Sequence, residues 1–144
     1  MASFVEKESD LESRFNRLPD WELKYKYIMS LGEKAGTLSE EDKSPEKLVR
    51  GCQSQVWLVA EPTKDHEGKI ESIQYHTDSD SAITKGLAAL VAGYYSGEAP
   101  EDIVSQEPVF MAKIGLDTHL SPTRSNGILA MVRQIKQLAV VAMS

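Results

Sequence analysis

The chain has 144 residues, 41% of them apolar and 26% charged, and a formal net charge of −6. That make-up fits one globular domain over residues 1–144 with a single core. It argues against a nucleic-acid surface, which needs clustered Lys and Arg, and against anionic membranes as partners.

Ser9-Asp10-Leu11-Glu12 reads as a capping box that opens a short helix to about Arg17. Leu18-Pro19 breaks it. Asp20 then caps a second helix over residues 21–34, with Trp21, Tyr25, Ile28 and Leu31 on one face and Gly36 as its stop. Residues 37–45 form a polar, acidic loop. Lys47-Leu48-Val49 is expected to pair as a strand. Residues 56–60 and 70–77 are richer in β-branched and aromatic side chains and read as two further strands, joined through Pro62 and Gly68.

Ser79-Asp80 is expected to cap a helix over residues 81–95, whose apolar stripe is Ile83, Leu87, Leu90, Val91 and Tyr94. Gly97 ends it, and Pro100 opens a short helix through about Ser105. Residues 110–114 read as one turn closed by Gly115. Ser121-Pro122 opens a last helix, with Ile128, Val132, Ile135 and Leu138 inward. Helices, antiparallel strands, then helices predict an α+β fold. It has a small sheet of about three strands and helices packed on one face.

Cys52 is the single cysteine. One thiol cannot form an internal disulfide, a two-cysteine redox couple or a metal cage by itself. A free cysteine is often a small buried core residue. Here, however, Gly51 precedes it and Gln53, Ser54 and Gln55 follow it, which places the thiol at the mouth of a strand. One cysteine also points to a reducing compartment, with the cytoplasm the expected location. The acidic first residues lack the apolar run of a signal peptide, and no stretch approaches the roughly 18 apolar residues of a membrane span.

The thiolate is the reactive form, and a free cysteine titrates near 8.5, so chemistry at neutral pH asks for help. Arg50, Arg124, His119 and a helix N-terminus are candidate helpers. Arg124 falls in the first turn of the last helix, where a cation opposes the helix dipole. It reads either as paired with an anion or as solvated surface. Asp80 has a structural reading as a cap, His119 one as a turn residue, and Trp57 one as core or interface. His66 and His76 read as surface. The three histidines and Cys52 lack the short spacing of zinc motifs. A partner-independent hydrolase or transferase using Cys52, His119 and Asp117 is the alternative, without a local nucleophile signature. There is no P-loop and no dinucleotide fingerprint.

The run Val49-Arg50-Gly51-Cys52-Gln53-Ser54-Gln55-Val56-Trp57 closely resembles the cysteine motif of the SufE family. Asp78-Ser79-Asp80-Ser81-Ala82-Ile83 with Lys85-Gly86-Leu87 also matches. So do Gly115-Leu116, His119-Leu120-Ser121-Pro122 with Arg124, and Asn126-Gly127 with Met131. The similarity spans about residues 18–135. It implies the α+β fold shared with IscU-type scaffolds. It also implies a carrier that takes persulfide sulfur from a PLP-dependent cysteine desulfurase, stimulates that enzyme, and delivers sulfur to an iron–sulfur scaffold protein. By the same resemblance Cys52 is the acceptor, and Arg50, Gly51, Gln53, Ser54, Asp80, His119 and Arg124 support it or bind the partner. No cofactor is expected on this chain, since the PLP belongs to the desulfurase. Scaffolds of that fold use three cysteines, so one cysteine fits a carrier.

Overall fold

The structure, a computed structural model, describes residues 3–144. The chain runs through α1 (Phe4–Asn16) and α2 (Trp21–Ala35), then two 3-10 turns, Glu40–Asp42 and Pro45–Lys47. Strands β1 (Val56–Lys64) and β2 (Ile70–Ser79) follow. Then come α3 (Ala82–Tyr95), α4 (Pro100–Ser105), α5 (Phe110–Lys113), α6 (Leu116–His119) and α7 (Pro122–Ala142).

Helix α1 begins earlier than the Ser9 box predicts. Ser3 is the cap and its side chain accepts from the Glu6 N–H at 3.2 Å, so Ser9 to Glu12 lies inside the helix. Tertiary contacts decide between two boxes of the same form. The Phe4 ring sits 5.0 Å from that of Tyr94 and 5.8 Å from that of Tyr95, and Glu8, one turn on, is buried against the Tyr94 hydroxyl. Residues 4 and 8 share a face only if the helix already includes both. Lys113 Nζ, 3.2 Å from Glu8 Oε1, completes the anchor.

Asp20 caps α2 as its sequence predicts, accepting from the Leu23 N–H at 2.9 Å. Helices α2 and α3 meet backbone to backbone. A Cβ on Gly86 would lie 2.2 Å from the Ile28 carbonyl oxygen, so any side chain there forces the helices apart.

The sheet has two strands, with Val56 opposite Ser79, Leu58 opposite Thr77 and Pro62 opposite Ile73. Opposed residues share a face. Val56, Leu58, Ile73, Tyr75 and Thr77 are buried beneath the helices, and Trp57, Glu61 and His76 look outward. The expected third strand does not form. Leu48 makes one isolated bridge to Trp57, and the Val49 N–H donates to the Val56 carbonyl at 2.8 Å. A 3-10 turn precedes this pair and Gly51 turns the chain at φ +95°, leaving no room for a ladder. Trp57 is therefore half-buried on the outer face, with Lys43 Nζ 5.6 Å from its ring, and is not core.

The core holds Phe15, Ile28, Ile73, Leu87, Tyr94, Tyr95, Phe110, Ile128 and Ile135. The Tyr75 hydroxyl donates to the Ile135 carbonyl at 2.9 Å and ties the sheet to α7. Among the described residues, no helix is long and apolar enough to cross a membrane.

Candidate functional site

The loop carrying Cys52 leaves the Leu48–Val49 bridge and re-enters the fold at β1. Its far root is held tightly. The Gln55 N–H donates to Asp80 Oδ1 at 3.1 Å, while Ser79 Oγ and the Asp80 N–H donate to the Gln55 carbonyl at 2.7 and 3.3 Å. Between the roots the backbone is lightly bonded. No N–H from Arg50 to Ser54 makes a well-formed hydrogen bond to another described residue. A Cβ on Gly51 would stand 3.2 Å from the Ala130 methyl, and its left-handed φ would strain any other residue.

Asp80 therefore has a different task from the one its sequence position suggests. Ser81 is the N-cap residue of α3 and makes no side-chain capping bond, and the Asp80 carboxylate turns to the loop root instead. The cap and the clamp compete for one carboxylate, and the loop's free N–H wins.

Cys52 is half-buried and points inward. Its thiol donates to the Gly127 carbonyl on α7, with Sγ 3.5 Å from the oxygen. Beneath it lies a cavity of about 100 Å³, to which Ser81 and Thr84 of α3 and Thr123, Arg124 and Met131 contribute from the α7 side. The N-terminal turns of two helices thus face one thiol, and such ends favour negative charge. Burial acts the other way and pushes the thiol pKa up, which keeps it protonated at rest.

Arg124 sits at this cavity with an exposed side chain and no ion pair among the described residues. Its N–H donates to Ser121 Oγ at 3.3 Å, so Ser121 caps α7 as predicted. Arg50, Gly51, Gln53 and Ser54 line a second hollow together with Cys52.

His119 is not among the residues around the thiol. Its Nδ1 lies 2.9 Å from the Gly115 carbonyl, and its ring stacks on Trp21 at 4.0 Å between centroids. The Tyr25 hydroxyl donates to its carbonyl at 2.7 Å. This pins the short α6 to α2 and fixes where α7 begins. His119 thus reaches the site through the position of Ser121 and Arg124. The Cys52–His119–Asp117 arrangement is not assembled, since the thiol bonds the Gly127 carbonyl and the imidazole Nδ1 contacts Thr118 and the Gly115 carbonyl, with no hydrogen bond between thiol and imidazole.

Sequence reasoning missed Thr84 and Thr123 as cavity residues and the Gly127 carbonyl as the thiol's acceptor. The two threonines occupy the first turns of α3 and α7, beside Ser81 and Arg124, and that shared position was the available signal. Among the described residues, no three His, Cys, Asp or Glu side chains gather where they could hold a metal ion.

Fold and site together define a small α+β domain that shelters one thiol on a glycine-turned loop. A solution structure of a hypothetical protein from Thermus thermophilus has the same fold. It aligns with a TM-score of 0.71 and 21% identity over 95% of this chain and 96% of that one. The family model described as the Fe-S metabolism associated domain, SufE, matches residues 9–139, and the chain belongs to the SufE family. Its place is in iron–sulfur metabolism.

Proposed function

We propose that this chain is a sulfur acceptor and carrier. Cys52 takes sulfane sulfur from the persulfide of a PLP-dependent cysteine desulfurase, the encounter stimulates that enzyme, and the sulfur passes on to an iron–sulfur scaffold protein. The PLP belongs to the desulfurase. The observation that carries this reading is the lightly bonded Arg50–Ser54 loop, which holds a lone thiol inward through a single hydrogen bond to Gly127.

In the transfer step the Cys52 thiolate attacks the outer sulfur of the partner's persulfide. A new S–S bond forms at Cys52, the partner's S–S bond breaks, and the partner cysteine leaves as its thiolate. The Cys52 proton ends on that thiolate or in solvent, and no net oxidant is required. Attack requires the loop to swing outward, so that Sγ leaves the Gly127 carbonyl and reaches the partner's active site. The tucked state protects thiol and persulfide from oxidation between encounters. In the swung-out state the burial that keeps the thiol protonated is relieved. Arg124 and Arg50, both exposed at hollows that Cys52 lines, serve docking and favour the thiolate and persulfide anions.

The test is sulfide release by a cysteine desulfurase with and without this chain. The rate should rise with the wild type and stay basal with Cys52→Ser. Equal stimulation by both forms would remove the acceptor role.

A further inference from the structure

Next to the Cys52 loop, the Pro45–Lys47 turn and the Leu48 bridge run beside α7 and leave a groove of about 330 Å³. Arg133, Gln134 and Gln137 of α7 wall it, Ala130 lies one turn before them, and Arg50 faces them from the loop. Residues 130, 133, 134 and 137 fall on one face of a helix. Arg50 belongs both to this groove and to the hollow that holds Cys52, so the two are continuous.

Of the three charged residues that line this groove, Glu46, Arg50 and Arg133, two are basic. The chain carries 22 acidic and 16 basic residues, yet Arg50 and Arg133 are exposed. Neither makes an ion pair or a side-chain hydrogen bond among the described residues. Glu46, at the rim of the groove, pairs with neither arginine. Guanidinium groups match carboxylates in two-pronged geometry. Each glutamine amide between them offers a donor and an acceptor, the pattern that suits a polypeptide backbone.

We propose that this groove is the docking site for an extended acidic segment of the protein that gives sulfur to Cys52. Its carboxylates meet Arg50 and Arg133, and its peptide groups meet Gln134 and Gln137. The proposal rests on the carrier reading for the partner's identity. The groove brings that partner to the Arg50 end of the loop, next to the hollow that Cys52 lines.

The experiment measures the Kd for a cysteine desulfurase from the same organism across a salt series. It uses the wild type, Arg133→Glu, Arg133→Gln, and Arg17→Glu at the end of α1 as a charge control. Arg133→Glu should weaken binding by roughly tenfold or more and flatten the salt dependence, with a smaller loss for Arg133→Gln. Cys52 should still load fully at saturating desulfurase, which separates docking from chemistry.

Unchanged affinity in Arg133→Glu overturns the proposal, as does an equal loss in Arg17→Glu or a wild type that binds no desulfurase. A groove that binds inorganic phosphate through Arg133 while desulfurase affinity ignores the substitution is a small-anion site, and that also overturns it. If the wild type binds but Cys52 takes no sulfur, the carrier reading falls while the Arg133 comparison still decides the docking surface.

Discussion

The Cys52 thiol donates to the Gly127 carbonyl at 3.5 Å, joining residues 75 apart in the chain through one weak bond. The bond holds the loop in a tucked position. Burial there raises the thiol pKa. Alkylation of the free protein should therefore rise with pH through a midpoint above the ordinary cysteine value near 8.5. The sign for stability follows. The folded state holds the proton longer than the unfolded one, so its contribution is full below the unfolded pKa and is lost as pH rises through the folded value. A rate profile of iodoacetamide labelling checks this, and a midpoint well below about 8 would contradict the tucked thiol.

Asp80 Oδ1 holds the Gln55 N–H at 3.1 Å, the far root of the same loop. Asp80→Ala should release that root while Ser79 Oγ still holds the Gln55 carbonyl. The site is exposed, so the stability loss should be about 0.5–1.5 kcal/mol, with faster alkylation of Cys52 at fixed pH. Melting curves and labelling rates on the same samples separate the two effects.

Asp78 sits deeper and should matter more for stability. Its carboxylate accepts from the Leu38 N–H at 3.0 Å and lies 3.3 Å from Lys43 and 3.4 Å from Lys85. Burial alone would raise its pKa, but the Leu38 and Ser79 N–H groups and the two lysines outweigh it and hold the pKa below the usual carboxylate value. The stability it supplies is present above the unfolded pKa, near 3.9, and is lost as pH falls through the folded value. Asp78→Ala should cost about 2–4 kcal/mol near neutral pH and make the melting temperature less sensitive to acid. Thermal melts from acid to neutral pH test both.

Gly86→Ala places a methyl 2.2 Å from the Ile28 carbonyl oxygen. Backbone must move, so the variant should lose about 3 kcal/mol or more in denaturant unfolding. A substitution cost below about 1 kcal/mol would show that α2 and α3 separate easily.

The parts of this fold that were legible in the sequence are those set by local chemistry. Asp20, Ser121 and the breaks at Gly36 and Gly115 mark helix ends that the structure keeps, and the β-branched and aromatic residues over 56–60 and 70–77 mark the two strands that pair. Misreadings arose where a distant contact chose between local options. Ser3 and Ser9 offer equivalent capping boxes, and Phe4 and Glu8 packing on Tyr94 selects the first. Asp80 looks like a cap until the Gln55 N–H, 25 residues away, claims it. Leu48 and Val49 have strand character, but the Gly51 turn ends pairing after one bridge. For the site, the motif picked out Cys52 and its loop neighbours. The Gly127 carbonyl, Thr84 and Thr123 become visible only when α3 and α7 converge.

The most direct test is intact-mass analysis of the chain after incubation with a cysteine desulfurase and cysteine, repeated after a reducing agent. The account predicts a reducible gain of sulfur on the wild type and none on Cys52→Ser. No gain with the desulfurase that binds it, or an equal gain on Cys52→Ser, would contradict the claim that Cys52 carries the sulfur.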